Sequence, residues 1–81
     1  MVDPSPAALL TAMAAEWRAS AVAHDAQASA AQRGADAVRA HQTLHAHRLS
    51  AVACHQASAA DCRLRADACE AGAGALANSE P

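Results

Sequence analysis

The chain has no lysine, isoleucine, phenylalanine or tyrosine, and one tryptophan is its only large aromatic. All six basic residues are arginines, and they alternate with eight acids to leave a net charge of −2 with histidine neutral. A nucleic-acid partner requires a basic stripe or patch, and none is present. The nearest approach, Arg63 and Arg65, is flanked by Asp61 and Asp67 and reads as a locally paired helix face. No long uninterrupted apolar run occurs, so no transmembrane segment is expected. The start, Met1-Val2-Asp3-Pro4-Ser5-Pro6, carries an acid where a secretory signal peptide carries positive charge. The protein is therefore expected to be cytoplasmic, or secreted by a route without a cleaved signal peptide.

What the chain does have is alanine, about a third of its residues. The 53% hydrophobic fraction thus overstates what can be buried. The large apolar side chains are few: Leu9, Leu10, Met13, Trp17, Val22, Val38, Leu44, Leu49, Val52, Leu64 and Leu76, with Met1 and Val2 at the start. About 25 cal/mol per Å² of buried apolar area, against roughly 1.5 kcal/mol of entropy per ordered residue, leaves a lone hairpin of this content near zero. A partner or self-association is expected.

The sequence predicts an all-α antiparallel two-helix hairpin, one half of a helical bundle. Residues 1–5 form an N-terminal extension, 6–71 the hairpin and 72–81 a C-terminal tail. Ser5 suits the N-cap and Pro6 the first helical position, where proline loses no hydrogen bond. The first helix runs from Pro6 to about Arg33. Gln32-Arg33-Gly34-Ala35-Asp36 is the expected turn, glycine ending one helix and aspartate capping the next. The second helix is expected to end near Gly72, since Gly72 and Gly74 are poor helix formers. Leu10, Met13, Trp17, Ser20, His24, Gln27 and Ala31 fall at alternating three- and four-residue steps, a coiled-coil spacing. The same frame gives Val38, His41, His45, Arg48, Val52, His55, Ala59, Cys62, Ala66, Cys69, Ala73 and Leu76. A competing face for the second helix is built on Leu44, Leu49, Val52 and Leu64, and the sequence leaves both open.

Cys54, Cys62 and Cys69 are spaced by eight and seven residues, roughly 10 Å or more along a helix, which excludes bridges among them if that helix is continuous. They read as free thiols. His41 and His45 lie one turn apart and, joined by His24 from the other helix, form the candidate metal set, yet no Cys-x-x-Cys or His-Glu-x-x-His motif accompanies them. No cofactor is expected. Cys54 and His55 point about 100° apart on a helix, and two helices make no pocket that excludes water, so no catalytic residues and no enzyme are expected.

Gly34-Ala35-Asp36-Ala37-Val38, Leu49-Ser50-Ala51 with His55-Gln56, and Ala71-Gly72-Ala73-Gly74-Ala75-Leu76-Ala77-Asn78-Ser79-Glu80 resemble the second half of the PE domain. That domain is the alanine-rich helical hairpin of mycobacterial type VII secretion substrates, and Pro6-Ala7-Ala8-Leu9 is similar to its start. The resemblance implies a heterodimer with a longer helical partner of the PPE family. It also implies a Tyr-x-x-x-Asp/Glu secretion signal after the second helix, whose matching positions here are Leu76 and Glu80, with leucine in place of tyrosine. Leu10, Met13, Trp17, Val38 and Val52 are the candidate partner-facing residues. The alternative is a homodimer, a self-associating four-helix bundle that binds a metal through its histidines. The sparse apolar content also allows a chain with no stable fold of its own.

Overall fold

The computed structural model describes residues 3–79 and is an antiparallel pair of helices, α1 over Pro6–Ala37 and α2 over Gln42–Ser79. Ser5 is the N-cap of α1. Its backbone is extended, its hydroxyl accepts the Ala8 N–H at 3.1 Å, and Pro6 follows where no amide hydrogen is needed. The paired helices make a rod 63 Å long and 11 Å thick in its thinnest direction. Its radius of gyration, 18.3 Å, compares with about 12 Å for a compact domain of this length. Two helices side by side have a seam and no interior.

That seam is made of alanine. On α1 the buried residues are Ala14, Ala21, Ala28 and Ala35; on α2 they are Val52, Ala59, Ala66 and Ala73, joined by Cys62. Each series repeats every seven residues, which keeps it on one side of a slightly underwound helix. Leu10, Trp17, His24 and Ala31 interleave with the alanines of α1 and are half-buried, as are His55 and Cys69 on α2. Small side chains let two backbones approach closely, and dispersion contacts between the helices grow as they do.

The frame expected for α1 is correct at Leu10, Trp17, His24 and Ala31 and displaced by one residue elsewhere. Met13, Ser20 and Gln27 are exposed, and their neighbours Ala14, Ala21 and Ala28 are buried. Hydrophobicity favours methionine over alanine, whereas a close contact favours the smaller side chain. On α2 the extended frame is the buried face from Val52 to Ala73, and the competing face is not: Leu44, Leu49 and Leu64 stay exposed.

The connection falls later than expected. Gly34 is helical, and the chain turns at Val38-Arg39-Ala40-His41 with no residue at positive φ. Glycine in a helix interior costs about 1 kcal/mol, and the helix that continues through it carries the seam one more heptad to fully buried Ala35. Asp36 does not cap α2. Its carboxylate accepts from Gln32 at 3.1 Å and from Arg39 at 2.8 Å, one turn to either side. His41 takes the capping role instead: its Nδ1 accepts the Leu44 N–H at 3.2 Å, and its carbonyl accepts the His45 N–H at 2.8 Å. His45 Nδ1 in turn donates to the Ala35 carbonyl at 2.8 Å, tying the start of α2 to the end of α1.

The far end of α2 also departs from expectation. The helix continues through Gly72 and Gly74 to Ser79, and residues 72–79 are no frayed tail. Leu10 Cδ1 would stand 3.2 Å from a β-carbon at Gly72, so the glycine admits a leucine of α1 against the α2 backbone.

Candidate interaction surface

The two flanks of the seam differ. On one side Arg18 reaches across to two acids of α2, Nη2 meeting Glu70 Oε2 at 2.8 Å and Asp67 Oδ1 at 3.1 Å. One heptad further along α1, Asp25 accepts from Arg63. Hydrogen bonding to Glu70 first, and to Asp67 second, raises the Arg18 guanidinium above its ordinary pKa. All of these groups are half-exposed or more, so solvent screens each pair and its contribution to stability is small.

The order of charges matters more than their strength. A seam repeating every seven residues offers nearly the same packing after a seven-residue slip. A slip in one direction would bring Arg18 opposite Arg63, and a slip in the other would bring Asp25 opposite Glu70. The ionic flank therefore selects the register that the alanines leave degenerate.

Trp17 sits at the other flank. Its ring packs against the buried cluster of Ala21, Ala59 and Cys62, and the Arg65 guanidinium lies 5.1 Å from its centroid. Arg65 is held there by Asp61 at 2.9 Å, whose hydrogen bond also raises the guanidinium pKa. Beside the indole, Met13, Glu16, Trp17 and Ser20 line a shallow groove of about 260 Å³. Met13 is 45% exposed and Leu9, one turn earlier, 50%. With Trp17 they form a continuous apolar strip at the open end of the rod.

The remaining candidate residues are dispersed. Leu10 is half-buried over Gly72, Val38 is half-buried in the turn, and Val52 is 7% exposed inside the seam. Leu76 lies in the last turns of α2 and is partly exposed, while Glu80 lies outside the described residues. Leu44, Leu49, Leu64 and Val22, absent from the candidate set, are exposed as well. Their signal was present in the sequence as apolar residues off the heptad frame.

The candidate metal set is not assembled. His41 and His45 are engaged at the turn, and His24 is paired with His55 instead, Nδ1 to Nδ1 at 3.4 Å. Among the described residues no group of three or more histidine, cysteine, aspartate or glutamate side chains is gathered closely enough to enclose an ion. Cys54, Cys62 and Cys69 are free thiols along one continuous α2. No helix among the described residues is long and apolar enough to cross a membrane. Compared with known proteins, the chain matches no family model, no curated protein and no solved structure.

Proposed function

We propose that the hairpin is a non-enzymatic interaction module, one half of a heterodimer whose other half is a longer helical protein of the PPE type. The observation that carries this reading is an inversion of the usual distribution of apolar side chains. Seven of the nine buried residues are alanine, while Leu9, Met13, Val22, Leu44, Leu49, Leu64 and Leu76 are exposed. Fully burying one large apolar side chain contributes about 1.5–3 kcal/mol. A partner helix laid along Leu9, Met13 and Trp17 would supply the stabilisation that an alanine seam lacks. The resemblance of the two helices to a PE domain supports the same kind of partner. It also supports export of the pair by type VII secretion, with Leu76 and Glu80 at the signal position.

The test is co-purification of the tagged hairpin with a co-expressed PPE-like helical protein. Met13→Glu is the informative variant, because Met13 lies outside the seam. We expect it to leave the helicity of the isolated hairpin unchanged and to abolish the complex. Unchanged capture by Met13→Glu and by Trp17→Ala alike would displace the interface from this strip. A wild-type hairpin that sediments as a dimer, with Met13→Glu monomeric, would favour the self-associated bundle instead.

A further inference from the structure

The central layer of the seam contains two polar rings, between fully or nearly buried alanines at Ala21, Ala28 and Ala59. His24 of α1 and His55 of α2 meet across the hairpin, half-buried, with ring centroids 5.6 Å apart and planes inclined by 34°. Their Nδ1 atoms are 3.4 Å apart. That is long for a hydrogen bond between nitrogens. It equals the separation of two donors in a tetrahedral site with metal–nitrogen bonds of about 2.0–2.1 Å, which is about 3.3–3.4 Å.

We propose that His24 and His55 bind one Zn²⁺ ion per hairpin through their two Nδ1 atoms. In the free hairpin one Nδ1 donates to the other; on binding, both rings carry their proton on Nε2 and both Nδ1 lone pairs go to the ion. Water completes the coordination. Both rings are only half-buried, which leaves the site open to water. No third side chain competes for the ion: Asp25 is held by Arg63, and Cys62, one heptad from His55, is buried against Trp17. Because the ligands come from different helices, the ion cross-links the hairpin at mid-length and binds only the paired state.

The experiment is thermal unfolding of the full reduced chain, followed by circular dichroism at increasing Zn²⁺ and again after EDTA. At free Zn²⁺ 100 times the dissociation constant, linkage raises the folding equilibrium about 100-fold, a rise in Tm on the order of 10 °C for a domain of this size. EDTA reverses it. His24→Ala and His55→Ala each abolish the rise, and His47→Ala, at an exposed position of α2, keeps it. Alanine is the better helix former, so neither substitution threatens folding through propensity. A second readout does not depend on stability: Zn²⁺ shifts the imidazole ¹⁵N resonances of His24 and His55 and leaves those of His41 and His45 in place. A Zn²⁺ response that survives His24→Ala, or ¹⁵N shifts confined to the turn histidines, overturns the site, as does a chain whose melting ignores Zn²⁺.

Discussion

At the scale of single residues, small side chains are used in two opposite ways. Ala21 and Ala59 are nearly or fully buried because they are small. Replacing either with leucine forces the helices apart, and we expect Ala59→Leu to destabilise the hairpin by about 1–3 kcal/mol, read from the urea midpoint. Gly74 has no such role: nothing lies within 4 Å of a β-carbon placed there, and its φ is ordinary for a helix. Gly74→Ala should stabilise the protein by roughly 0.5–1 kcal/mol, visible as a higher Tm, through backbone entropy alone. Asp36 adds a pH dependence. The hydrogen bond from Arg39, and secondarily that from Gln32, lower its pKa below the ordinary 3.8. A depressed carboxylate stabilises the fold above the unfolded value, and that stabilisation is lost as pH falls through the lowered one. Acid titrations of wild type and Asp36→Asn should therefore differ at neutral pH and converge at the acid end.

The helices as elements depend on each other for alignment. The buried residues of α1 are four alanines with identical spacing, so packing alone distinguishes poorly between one register and the next. Arg18 with Glu70 and Asp67, and Asp25 with Arg63, discriminate by charge. Arg18→Glu should cost more than Arg18→Ala, because a glutamate there faces two acids. Restoring complementarity with Glu70→Arg should recover part of the loss. A double-mutant cycle is expected to give a small favourable coupling that shrinks with salt. The turn is the other element-level device. Its two histidines hold opposite roles, His41 accepting from a backbone amide and His45 donating to a carbonyl. Removing the His41 acceptor with alanine should cost about 1 kcal/mol, as for other N-caps, and fray the start of α2 in hydrogen exchange.

For the whole molecule, shape and composition point the same way. A rod 63 Å long exposes most of each helix, and the residues able to stabilise it by burial lie on its outside. The isolated hairpin is therefore expected to be marginal. Its helicity by circular dichroism should rise when a helical partner covers the Leu9–Met13–Trp17 strip, and Met13→Glu should prevent that rise.

How far the sequence reaches follows from which forces are local. Ser5 and Pro6 mark the start of α1 because capping depends on neighbouring residues only, and the scarcity of glycine and proline makes both helices legible. Helical periodicity, a property of the backbone, offered two faces of α2, and only contact with α1 selected the frame from Val52 to Ala73. Three further matters were decided only when the helices met. Gly34 stayed helical where the seam continues to Ala35, buried against α2, and the turn moved to Val38–His41. Alanine displaced Met13, Ser20 and Gln27 from the seam because steric fit is measured between helices, where one-residue differences in side-chain size set the distance of approach. His24 met His55 rather than the turn histidines because the register, selected by charges far apart in the sequence, fixes which residues of α1 and α2 share a layer.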